Sequence, residues 1–132
     1  MKNPSNKSKS IAQVQHCATM TEVRRCVDAL DDILVPLLVQ RTAYMTQAAR
    51  IKQDVNLVRD EARIQAIVDR VRAHAVAEGG EPAVIEALYR GMMEIFIGYE
   101  HHEFARLREG GTSASLNGGA VHNVTSLEAV SP

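Results

Sequence analysis

The hydrophobic pattern is most regular between Met20 and Lys52, where apolar residues recur at Val23, Val27, Leu30, Leu34, Leu38, Met45 and Ala48. Steps of three and four residues are helix spacing, so the stretch predicts one long amphipathic helix. The same register runs through Arg41 and Lys52, placing two cations on the stripe meant for a packed core. Desolvating a charge is costly unless a partner of opposite sign is supplied, and no acid on this stripe is spaced to pair with both. A bound anion would supply the missing charge; snorkelling to water at the edge of the stripe is the ordinary alternative. The two cations are 11 residues apart, roughly 16 Å along a helix, within reach of one small ligand for two long side chains.

Pro36 lies inside this helix and removes one backbone hydrogen bond, which predicts a kink rather than a break. Thr19 or Thr21 is placed to cap its start. A helix of about thirty residues is roughly 45 to 50 Å long, more than the diameter of a compact domain of this size. It is therefore expected to pack against something outside its own chain, most economically a second copy.

The pattern lapses through Gln53, Asp54, Val55 and Asn56, and a second helix is predicted from near Asp60, with Ile64, Ile67, Val68 and Val71 on one face. Gly79 and Gly80 end it. Glu81 and Pro82 open a third helix lasting to about Arg108, whose buried face is expected from Ile85, Leu88, Tyr89, Met92, Ile95, Phe96 and Tyr99. A second stripe on that helix, Met93, Phe96, Phe104 and Leu107, includes Glu100, so a carboxyl also points inward. It is either a structural partner for Lys52, Arg63 or another base, or a group directed toward a ligand.

Composition agrees with an all-helical chain. Tryptophan is absent, aromatic content is 4%, and no strand-length alternation of apolar and polar residues occurs in the 132 residues. With 15 Lys and Arg against 16 Asp and Glu, formal charge is -1, which suggests neither a nucleic-acid nor a membrane partner. No apolar run is long enough for a membrane anchor. Cys17 and Cys26 have no CxxC spacing and no signal-type segment precedes them, so a reducing cytoplasm is the expected setting.

Three segments are expected: a flexible lead-in over residues 1–17, a helical domain over 18–109, and a disordered Gly, Ser and Asn-rich tail over 110–132. His101, His102 and Glu103 diverge around a helix and make a poor metal set, so neither metal nor cofactor is expected. Phosphate-loop, nucleophile-elbow and zinc-protease motifs do not occur.

Four features in order remain: Arg24 ahead of VDALD, Arg41 ten residues after Asp31, Lys52 eleven further on, and Asp60-x-x-Arg63 opening the second helix. With the closing helix MMEIFIGYE, they make the stretch from Thr21 to Phe104 resemble the all-helical chorismate mutase family. That resemblance implies a three-helix protomer in an intertwined homodimer, with two equivalent sites for a small dicarboxylate. Each site would be completed by an arginine from the other protomer, and the matching residue is Arg24. Arg24 and Arg41 would bind the two carboxylates, and Lys52 a carboxylate and the ether oxygen. Asp60 and Arg63 would close the pocket over the ring, although Asp60 is equally suited to a helix cap. Chorismate rearranges to prephenate in one pericyclic step, so conformational restraint and charge stabilisation suffice, with no covalent intermediate.

Three positions depart from the mutase pattern. Glu100 stands where many members have Gln at the ether oxygen; it donates a hydrogen bond only when protonated, so activity is expected to fall as pH rises. Ile64 stands where a mutase often has Glu for the C4 hydroxyl, and Phe96 replaces a small polar residue. Both resemble the isochorismate pyruvate lyases of the same fold, which release salicylate and pyruvate, whereas Glu100 is nearer certain mutases. The mutase reading is preferred. The reading from another class is a non-enzymatic helical dimer whose inward charges set register.

Overall fold

The computed structural model describes residues 10–112, with side chains to residue 109. The expected tail beyond residue 112 and the first nine residues of the lead-in lie outside the described residues. Among those described there are three α-helices and no strand: α1 (Met20–Ile51), α2 (Glu61–Ala77) and α3 (Pro82–Thr112), with 3-10 turns at Ser10–Gln13 and Val55–Leu57. None of these helices is long and apolar enough to cross a membrane.

Local chemistry explains each boundary. Thr19, not Thr21, caps α1: its Oγ1 accepts the Glu22 N–H at 3.2 Å, while Glu22 Oε2 accepts the N–H groups of Ala18 at 2.6 Å and Thr19 at 3.3 Å. This reciprocal capping box satisfies amides that have no partner within the helix. The helix continues across Pro36 without interruption. After α1, Asp54 accepts the Asn56 N–H at 2.8 Å and starts the short turn at Val55. At the end of α2, Gly79 adopts φ 83°, the Gly79 N–H reaches Val76 O at 3.0 Å and the Gly80 N–H reaches Ala75 O at 2.8 Å. That is a Schellman ending, and glycine adopts its left-handed backbone without a Cβ penalty. Pro82 occupies the first position of α3, as the sequence suggests.

The chain divides into two compact units. The first comprises the described parts of residues 1–38 and 62–90. Its buried apolar residues are Val68, Val71 and Ala75 on α2. Arg72 bonds Glu86 at 2.7 Å, and Arg90 holds the other oxygen of Glu86 at 2.7 Å. The lead-in is also tied down: Ser10 N–H donates to Glu78 Oε1 at 3.0 Å and Ile11 N–H to Glu78 O at 3.2 Å.

The second unit comprises residues 39–61 and the described part of 91–132. Ala49, Val58, Met93 and Phe96 are buried there, together with Glu100 and Glu103. Burial departs from the apolar pattern in two places. Leu88 and Ile95, expected inward on α3, are 63% and 40% exposed. On α1, Val27, Leu30 and Leu34 are exposed as well, although they carry the most regular spacing in the chain. Periodicity identifies a face, and only a neighbour can bury it.

Candidate functional site

Four of the predicted site residues come together in the second unit. Arg41 lies three turns from the end of α1, Lys52 is the first residue after that helix, and Phe96 and Glu100 occupy successive turns of α3. Lys52 Nζ lies 2.7 Å from Glu100 Oε2, with the two side chains 28% and 5% exposed. The contact is an ion pair without hydrogen-bond alignment, since Oε2 has no directional partner of its own. Lys52 Nζ also donates to Val58 O at 3.3 Å. Of the two roles open to Glu100, partnership with Lys52 is therefore realised in the protein.

The Arg41 guanidinium carbon lies over the Phe96 ring, 5.0 Å from its centroid, a cation–π contact. Phe96 is buried, so the platform under Arg41 is a fixed part of the core. The planar guanidinium fork suits a carboxylate, which accepts two parallel N–H bonds.

Asp60 is exposed and immediately precedes α2, the position of a cap. Beside it, Arg59 donates to Glu94 Oε1 at 2.5 Å and Glu61 Oε1 at 3.3 Å. The bond to Glu94 is the main cause that raises the Arg59 pKa and lowers that of Glu94. This bridge ties the segment before α2 to α3. Arg24, Arg63 and Ile64 belong to the first unit; Arg24 and Arg63 are exposed and Ile64 is half-buried.

Two groups that support the site escaped the sequence reading. Glu103 is 6% exposed, accepts the Thr46 hydroxyl at 2.8 Å, and takes two bonds from Arg106 at 2.7 and 3.0 Å. Arg106 is the main cause holding the Glu103 carboxyl below its ordinary range, with smaller help from Thr46 and Tyr99 against the opposing effect of burial. Arg108 donates to Ala49 O at 2.9 Å and Lys52 O at 2.5 Å, and its guanidinium lies 3.4 Å from the Phe104 ring centroid. It thus closes the carbonyl end of α1 at the residue that carries the site ammonium. The signal for Glu103 was available, since it lies three residues from Glu100 on the same helix face. Arg108 also donates to Phe104 O one turn back at 3.2 Å, but its link to α1 had no such signal, because those acceptors are backbone atoms 56 and 59 positions away.

A family model described as chorismate mutase type II matches residues 23–101. The chain belongs to that family. The matched range contains all eight predicted site residues, from Arg24 to Glu100. Membership in the chorismate mutase type II family makes the chain an enzyme, an isomerase of chorismate mutase type, and sets aside the reading as a mere dimerisation module. No curated protein and no solved structure matches the chain.

Proposed function

We propose that this enzyme converts chorismate to prephenate at a site built on Arg41, Lys52, Phe96 and Glu100, and completed by Arg24 of a second protomer. The observation that carries this reading is the pairing of a stacked arginine with a half-buried lysine in one unit that also buries a carboxyl. Arg41 holds one substrate carboxylate through its in-plane edge. Lys52 has three N–H donors, so with one given to Val58 O a donor remains for the ether oxygen. Negative charge grows on that oxygen as the bond breaks, and a donor already in place stabilises it without reorganisation. Arg41 and a second arginine hold the enolpyruvyl arm over the ring, which reduces the entropy lost on reaching the transition state.

Charge balance supports a contribution from elsewhere. Arg41 and Lys52 carry two positive charges and Glu100 removes one, leaving a single net cation for a dianionic substrate. Arg24 supplies a further positive charge. The exposed apolar face of α1, with Leu30 and Ile33 each 64% exposed, supports an intertwined dimer that would bring Arg24 across.

Ile64 and Phe96 favour a second reading, isochorismate pyruvate lyase. Ile64 offers nothing to a hydroxyl at C4 but costs nothing when the hydroxyl is at C2, as in isochorismate. The deciding experiment supplies purified protein with each substrate from pH 5 to 9 and follows prephenate against salicylate and pyruvate. Dominant prephenate with loss of activity in Arg41→Ala and Lys52→Ala supports the mutase. Salicylate as the main product assigns the lyase, and silence with both substrates removes this site from either chemistry.

A further inference from the structure

The sequence contains two cysteines, and the fold brings them together. Cys17 Sγ and Cys26 Sγ are 4.0 Å apart, both are free thiols, and both are half-buried. Cys17 lies two residues before the cap of α1 and Cys26 lies two turns inside the helix. The sulfurs meet because the capping box folds the chain back over the helix start: Glu22 Oε2 holds the Ala18 N–H at 2.6 Å, and Thr19 holds the Glu22 N–H. Side chains on a helix lean toward its N-terminus, so Cys26 reaches back while the cap delivers Cys17. The other end of the lead-in is anchored separately through Ser10 and Ile11 on Glu78.

We propose that Cys17 and Cys26 form a reversible intramolecular disulfide under disulfide oxidants, turning the segment before α1 into a strap fastened at both ends. The proposal is independent of the mutase reading. With glutathione disulfide as oxidant, one protein thiolate attacks a glutathione sulfur, forming a mixed disulfide and releasing one glutathione thiolate. The second protein thiolate then attacks the protein sulfur of that mixed disulfide, breaking its S–S bond and releasing the second glutathione. The two thiol protons end on the two glutathione thiolates, and two electrons pass from the cysteine pair to the oxidant. Burial, followed by the hydrogen bond with Cys26, pushes the Cys17 thiol up, which slows its attack on a disulfide at neutral pH. Whether the pair is open or closed then follows the ratio of glutathione to glutathione disulfide.

The test incubates the full chain in a series of glutathione to glutathione disulfide ratios, quenches with acid, counts thiols and maps peptides by mass. Loss of both thiols per chain, a linked Cys17–Cys26 peptide and full reversal by excess glutathione are the expected result. Cys17→Ser and Cys26→Ser should each stop at a mixed disulfide carrying one glutathione. Glu22→Ala should slow release of the second glutathione several-fold while leaving the first step unchanged. Two thiols persisting in glutathione disulfide alone, a wild-type chain that stops at the mixed disulfide, or linkage only between chains would overturn the proposal. An unchanged second step in Glu22→Ala would overturn the role given to the capping box.

Discussion

Lys52 and Glu100 form a 2.7 Å ion pair in which the carboxyl is 5% exposed and the ammonium 28% exposed. Such a pair is easier to break than to replace. Lys52→Met alone leaves a buried carboxylate without its counter-charge and is expected to cost about 1 to 3 kcal/mol. The double change Lys52→Met with Glu100→Leu should recover most of that loss, because no buried charge remains. Urea denaturation of the wild type, both single variants and the double variant checks this; a purely additive double variant would show the pair to be uncoupled.

Glu103 makes a prediction about stability alone. Its folded-state pKa is depressed, mainly by Arg106, so the stabilisation it provides is present above the unfolded carboxylate value and lost as pH falls through the folded one. The stability gap between wild type and Glu103→Gln should be widest at neutral pH and close on acidification. Chemical denaturation at intervals from pH 7 to pH 3 reads this directly, and a gap that grows in acid would contradict the assignment.

Arg108 links α3 to the last carbonyls of α1. Arg108→Ala removes three charge-assisted bonds, to Ala49 O, Lys52 O and Phe104 O, and is expected to lower stability by about 1 to 3 kcal/mol. Because one acceptor is the carbonyl of Lys52, kcat should fall more than stability explains at a temperature where the variant is fully folded. Unchanged turnover in the folded variant would make Arg108 a structural cap only.

Phe96 and Arg41 can be separated by a change that nearly keeps volume. Phe96→Leu retains an apolar core residue but removes the aromatic face under the guanidinium, with an expected loss of about 1 kcal/mol of orientation energy. If Arg41 holds a substrate carboxylate, KM should rise several-fold with a smaller change in kcat.

The exposed face of α1 makes the last prediction. Leu30 and Leu34 are 64% and 48% exposed, and placing a carboxylate there, as in Leu30→Glu, should shift the chain toward monomer if that face joins two copies. Sedimentation velocity measures the shift. A wild type that is already monomeric at micromolar concentration would overturn the dimer, and with it the role of Arg24.

Much of this protein was determined by its sequence alone. Helix spacing defined α1 and α2, local backbone chemistry narrowed the cap of α1 to Thr19 or Thr21 and marked the end of α2 at Gly79 and the start of α3 at Pro82, and the four-part spacing from Arg24 to Arg63 pointed to the family. These properties depend on neighbours a few residues away, so they are written in short windows of the chain. That Arg41 and Lys52 share a stripe, and that Glu100 points inward, was legible for the same reason. Only the tertiary structure decided which partner each charge takes: Lys52 with Glu100, Arg41 on Phe96, Thr46 and Arg106 with Glu103, Arg108 on the end of α1. Cys17 and Cys26 are close in sequence, yet their approach depends on the capping turn between them. Periodicity specifies the direction of a side chain, whereas pairing and burial depend on what the rest of the chain places opposite it.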